Sequence, residues 1–124
     1  MTTPDQPLKT GFERGDVVLV PFPNSDLRTI KLRPALVIQA NDLDTGIAQI
    51  VIAMISSNLK RAGHKSRILI KTSTETGKAS GLLFDSVLMC DNLATVSLHV
   101  LNRTIGNIDD HTEINDALRH TLGL

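Results

Sequence analysis

The feature that most constrains what this chain can fold into is the shortness of its apolar runs. Val17 to Val20, Ala35 to Ile38 and Ile47 to Ile55 are rich in β-branched residues and are cut off by Gly, Pro, Asn and Asp, the pattern of strands rather than of helices. Arg67-Ile68-Leu69-Ile70-Lys71 and Ser86-Val87-Leu88-Met89-Cys90 add two more, and Val100 to Ile105 reads as a further strand after a turn through Leu93 to Leu98. Strands so spaced, with turn residues between them, predict a small antiparallel barrel or sandwich. Only the C-terminus carries a helical period, with Ile114, Leu118 and Leu122 at four-residue steps and Ala117 beside them. Asp109 or Asp110 is placed to cap that helix, Glu113 completes a capping box behind Asp110, and Gly123 ends it. The expected organisation is a loose, flexible tail over residues 1–11 and one domain over residues 12–124.

A chain of 124 residues with 41% hydrophobic content buries a core without disulfides or a structural metal. Its only aromatic residues besides histidine are Phe12, Phe22 and Phe84, so a platform for stacking successive bases is absent. A net charge of zero argues against holding nucleic acid by bulk electrostatics alone. That total conceals an asymmetry: residues 1–71 carry ten Lys/Arg and six Asp/Glu (+4), residues 72–124 three and seven (−4). Arg28, Lys31, Arg33, Lys60, Arg61, Lys65 and Arg67 supply most of the basic excess, as a phosphate-facing patch or as an ordinary solvated surface. The single cysteine, Cys90, reads as a small buried hydrophobe, and residues 1–14 contain no apolar run of the signal-peptide or membrane-spanning kind. A reducing cytoplasm is the expected setting.

Two residues could carry chemistry. Arg33 stands at the mouth of an apolar strand, and Pro34 biases its backbone toward an extended conformation. Its planar five-donor fork suits a phosphate gaining charge; a surface ion pair with Asp26 or Asp42 is the competing reading. Ser56 falls where the long apolar run meets a loop, so its hydroxyl either donates to a phosphate or satisfies a strand-end backbone group. His64 alone of the four histidines lies in the basic region, and a solvated loop histidine is favoured there over a general base. No His/Cys spacing or carboxylate cluster suggests a catalytic metal, and no cofactor is expected.

Gly15-Asp16-Val17-Val18-Leu19-Val20-Pro21-Phe22-Pro23, followed by Arg33-Pro34-Ala35-Leu36-Val37, resembles the N-terminal pattern of the MazF/PemK family, toxins of type II toxin-antitoxin pairs. Ile55-Ser56-Ser57-Asn58, Gly81-Leu82-Leu83-Phe84-Asp85-Ser86-Val87 and Ile105-Gly106-Asn107-Ile108 resemble further blocks of that family, in order, so the resemblance runs from about Gly15 to Leu122. It implies a mainly β fold, a small SH3-like antiparallel β-barrel of the CcdB/PemK kind with a C-terminal helix. It also implies a metal-independent endoribonuclease that cuts single-stranded RNA by attack of a ribose 2′-hydroxyl, leaving a cyclic phosphate and a 5′-hydroxyl.

Arg33 and Ser56 match the family's catalytic Arg and Thr/Ser, with Ser here in place of the commoner Thr. Arginine barely deprotonates, so Arg33 is assigned charge stabilisation in the transition state, and Ser56 is assigned positioning of the phosphate. The loop from Asn24 to Leu32 matches a family segment that lines the RNA groove. On that reading Asn24, Ser25 and Thr29 meet base edges, Arg28 and Lys31 hold phosphates, and Ser57, Asn58, Lys60 and Arg61 extend the surface past Ser56. Phe22 could stack on a base, although a strand-end core position is favoured. A homodimer and a cognate antitoxin with an acidic tail are the implied partners. Two rivals share the fold: a non-catalytic toxin that poisons DNA gyrase, and a degenerate member that binds RNA or antitoxin without cutting.

Overall fold

The computed structural model describes residues 10–24 and 26–124. Most of the tail expected over residues 1–11 therefore lies outside the described residues. Six strands, β1 (Asp16–Pro23), β2 (Ile30–Val37), β3 (Gln49–Ser56), β4 (Arg67–Ile70), β5 (Ser86–Ser97) and β6 (Thr104–Asn107), accompany two helices, α1 (Glu75–Ser80) and α2 (Thr112–Leu122). The strands form one antiparallel sheet in the order β4-β5-β3-β2-β1-β6. It curls on itself as a half-barrel with the C-terminal helix against it, the mainly β architecture expected.

Curvature comes from a bulge in β5. Ala53 of β3 pairs with Leu93 whereas Met54 pairs with Met89, which leaves Cys90, Asp91 and Asn92 outside that ladder. Extra residues in one strand bend it and increase its twist. One half of β5 thereby serves β4 and the end of β3, and the other half serves the start of β3. The turn expected through Leu93 to Leu98 is accordingly strand as far as Ser97, because Leu93 packs on one core while Ala94 and Val96 pack on the other. The strand expected over Val100 to Ile105 begins only at Thr104. A 3-10 turn, Leu98–Val100, occupies its start, with the Ser97 hydroxyl accepting the His99 amide.

Strand alternation divides the apolar residues between two faces. Val17, Leu36, Ala53, Ile55, Leu88 and Cys90 pack toward Ile114 and Ala117 of α2. Val18, Val20, Ala35, Val37, Ile50, Ile52 and Met54 form a second core, closed by Leu101. Each such aliphatic side chain contributes roughly 1.5–3 kcal/mol when fully buried. Cys90 is one of them, and burial pushes its thiol up to about 11.

α2 carries the expected apolar stripe and ends at Gly123 in the left-handed conformation. Its start differs from the expected capping box. His111 occupies the N-cap position without a side-chain cap, and Asp110 accepts the Thr112 amide instead. The His111 ring is engaged elsewhere, 3.2 Å from Nη1 of Arg14, and Arg14 also donates to the Ile38 carbonyl and to Asn115. That arginine staples the helix to the first strand pair. α1 has no apolar period and so escaped the sequence reading; its signals are the Thr74 hydroxyl accepting the Gly77 amide and Gly81 at its C-terminus. Among the described residues no helix is long and apolar enough to cross a membrane.

Candidate functional site

β1 and β2 run on past the core as a two-stranded arm. The polar loop expected over residues 24–32 is shorter than that, because Ile30, Lys31 and Leu32 pair with Pro23, Phe22 and Pro21. Prolines are tolerated in this arm for a geometric reason. The Leu19 amide donates outward to the Arg103 carbonyl, and by alternation the nitrogens of Pro21 and Pro23 face the same edge, beyond the last residue that pairs with β6. No ladder bond is lost there.

Pro34 has the opposite orientation. The Ile38 amide donates to Val51 of β3, so alternation turns the nitrogen of Pro34 toward β3, where it has no proton to give. Pairing of β2 with β3 stops at Ala35 and Met54. Two residues beyond that last pair lie Arg33 on β2 and Ser56 on β3, by alternation on the face that bears Ala35 and Met54. Arg33, midway along β2, and Ser56, the last residue of β3, therefore both lie just past the end of the β2–β3 ladder.

Arg33 is half-buried and pairs with Val20 of β1. Its Nε is buried without a hydrogen-bond partner among the described residues. Its guanidinium carbon lies 5.8 Å from the centroid of the Phe22 ring, within cation–π range. The ion pair weighed for it with Asp26 or Asp42 is not formed; the pairs among the described residues are Arg67–Asp91 and Arg119–Asp116. Phe22 is 42% exposed rather than a core residue, because the core on its face ends at Val20. Lys31 shares that face with Phe22 and Arg33, which makes one side of the arm cationic.

The Ser56 hydroxyl oxygen accepts the Asn58 amide at 3.1 Å, which leaves its proton free to donate. Asn58 in turn caps a 3-10 turn, Leu59–Arg61, by accepting the Lys60 amide at 3.2 Å. Ser57, Lys60 and Arg61 are exposed beside it. Arg67, left out of the candidate set by the sequence reading, donates through Nε and Nη2 to Asp91 and through Nη1 to the Arg61 carbonyl. The hydrogen bond from Arg67 holds the Asp91 carboxyl below its ordinary range and raises the guanidinium's own pKa. A bulge aims Asp91 at its partner, which sequence spacing alone does not reveal.

The loop at the tip of the arm is bonded to itself. Asp26 accepts the Arg28 and Thr29 amides and the Thr29 hydroxyl, and the two amides, foremost among these bonds, lower its pKa. Asn24 donates to the Thr29 hydroxyl and its backbone amide to the Thr29 carbonyl. The Asn24 and Thr29 side chains assigned to base edges are therefore bonded to one another, whereas Arg28 and Lys31 are exposed. Ser25 lies outside the described residues. His64 accepts the Ser66 amide through Nδ1, so its neutral ring carries the proton on Nε2, and the ring lies 5.9 Å from that of His120 on α2. Among the described residues no group of three or more His, Cys, Asp or Glu side chains could hold a metal ion.

Residues 13–122 match the family described as PemK-like, MazF-like toxin of type II toxin-antitoxin system. No curated protein matches by sequence. Among solved structures, the chain is similar to the Mycobacterium tuberculosis toxin MazF-mt6, with a TM-score of 0.68 and 20% identity over 88% of this chain and 97% of that one. A mycobacterial endoribonuclease in complex with its cognate antitoxin gives 0.68 and 23% over 90% and 95%. MazF from Deinococcus radiodurans gives 0.64 and 15% over 97% and 100%. Likeness at these identities is likeness of fold.

Proposed function

The chain belongs to the PemK-like, MazF-like toxin family of type II toxin-antitoxin systems, and from that premise we propose that it is an endoribonuclease acting on single-stranded RNA. The observation that carries the reading is the Nε of Arg33, buried and without a hydrogen-bond partner among the described residues, on a strand whose ladder with β3 ends just short of Arg33 and Ser56. A buried donor without an acceptor costs about 1–3 kcal/mol, and a phosphate oxygen would remove that cost. The ribose 2′-oxygen attacks the adjacent phosphorus, the bond to the 5′-oxygen breaks, and a 2′,3′-cyclic phosphate and a 5′-hydroxyl result. Protons balance, since the 2′-oxygen loses one and the 5′-oxygen gains one. Arg33 stabilises charge gathering on the non-bridging oxygens, and the Ser56 hydroxyl donates to the same group.

Around that centre, Phe22, Arg28 and Lys31 from the arm and Ser57, Lys60 and Arg61 from the loop after Ser56 form the RNA-facing surface. Asn58 acts through its cap on that loop, and Asn24 and Thr29 shape the tip of the arm. The working unit is a homodimer in the cytoplasm, neutralised by a cognate antitoxin whose acidic segment lies on the cationic face. Incubation with mixed single-stranded RNA in EDTA, repeated with a 2′-deoxy sugar at each cleaved position, tests the chemistry. Cleavage abolished by the deoxy sugar supports it; RNA left intact throughout refutes it and favours a binding-only toxin, of gyrase or of RNA.

A further inference from the structure

Ser56 does not hold its own orientation. Its hydroxyl oxygen is fixed by the Asn58 amide, Asn58 caps the turn Leu59–Arg61, and the far end of that turn is tied down at the Arg61 carbonyl by Arg67 at 3.2 Å. Arg67 is itself fixed by a bidentate bond to Asp91, with Nη2 at 2.8 Å and Nε at 3.2 Å from both carboxylate oxygens. Asp91 stands in the bulge of β5, outside the ladder with β3, so the bend that curls the sheet also presents this carboxylate. The side chains of the pair are only about one-quarter exposed, unlike the more open Arg119–Asp116 pair on α2.

We infer that Arg67 and Asp91 are positioning residues that fix the Leu59–Arg61 turn and, through Asn58, the direction in which the Ser56 hydroxyl can donate. The assignment of that hydroxyl to an RNA phosphate rests on the function proposed above; the positioning does not. A guanidinium is required because one planar fork must reach a carboxylate and a carbonyl at once, which the ammonium of lysine does not do. Neither residue belongs to the RNA-facing surface proposed above, and the positive charges of Lys60 and Arg61 are kept whatever stands at position 67.

The test compares the full chain with Arg67→Lys and Asp91→Asn by amide hydrogen exchange and by cleavage of single-stranded RNA. In both variants, exchange at the amides of Asn58, Lys60 and Arg61 is expected to rise about tenfold, the scale of one lost hydrogen bond, while that of Ile52 and Leu88 in the sheet stays at the parent rate. In the cleavage assay kcat falls with KM little changed, because the charges that bind RNA are kept and the hydroxyl is misdirected. The double variant is expected to behave like either single one, since both break one linkage. Parent-like exchange at residues 58–61 in Arg67→Lys overturns the inference, and so does exchange accelerated equally through the sheet, which marks a merely structural pair. A parent protein that cuts no RNA counts against the nuclease reading alone, and the exchange pattern still decides the positioning.

Discussion

Arg33 and Ser56 each lie two residues beyond Ala35 and Met54, the last pair of the β2–β3 ladder, and the nitrogen of Pro34 faces β3 where that ladder ends. By strand alternation both fall on the face of the sheet that bears the second core. On the function proposed above, an RNA phosphate there meets a positive charge from one strand and a hydroxyl donor from the other.

Replacing Arg33 with alanine separates chemistry from folding. Its Nε makes no hydrogen bond among the described residues, so truncation leaves no partner stranded there, and the melting temperature is expected to stay near that of the parent. Loss of the charge removes ~2.7–4 kcal/mol of transition-state stabilisation, about a hundred- to a thousandfold in rate. Melting and cleavage measured side by side decide it; cutting at the parent rate would sink the assignment.

Ser56→Thr keeps the hydroxyl and restricts its rotamers, and it is expected to cut RNA at least as fast as the parent. Ser56→Ala removes both the donor and the acceptor for the Asn58 amide, with cleavage falling roughly a hundredfold. Equal single-turnover rates for the two variants would remove Ser56 from the mechanism.

Pro34→Ala restores an amide that faces β3. The ladder is expected to lengthen toward Arg33 and Ser56, with the new amide protected from exchange, stability unchanged or slightly raised, and cleavage reduced. Measuring exchange at residue 34 together with the rate distinguishes a closed gap from an unaltered one.

Gly81 and Gly106 lie where α1 meets β6. A Cβ on Gly81 would stand 2.1 Å from the Ile105 carbonyl oxygen, at a φ of +73°. Gly81→Ala combines a clash with backbone with a left-handed conformation, and is expected to cost at least about 1–3 kcal/mol. A shifted urea midpoint with an unchanged slope reads this directly.

Asp26, Asp85 and Asp91 all lie below the ordinary carboxylate value of 3.8, because Asp26 accepts the Arg28 and Thr29 amides, Asp85 accepts the Thr72 amide and hydroxyl, and the Arg67 fork holds Asp91. A depressed folded-state pKa stabilises the fold fully above about pH 5, and that contribution is lost as the pH falls through the folded-state values. Acid is therefore expected to loosen the tip of the arm and the Thr72–Asp85 tie before the aliphatic cores open. Carbon-13 titration of the three carboxyls, followed alongside amide exchange, checks the order.

The spacing of the β-branched runs and of the turn residues was enough to determine a small antiparallel β scaffold with a C-terminal helix, because alternation and helical period are local properties of a chain. Arg33 before Pro34 and Ser56 at a strand end were singled out as a pair only through the resemblance to the family, because nothing local links residues so far apart in sequence. The start of α2 was not, since Arg14, remote in sequence, claims His111 and so alters the cap. Phe22 was misread because nothing local records that the arm outruns the core. Only the tertiary structure decided that Pro34 faces β3 while Pro21 and Pro23 face an open edge, that Arg67 holds the turn beside Ser56, and that Asn24 and Thr29 bond to one another. Each of these depends on which strand lies next to which, and neighbours in a sheet are chosen by the packing of the whole chain.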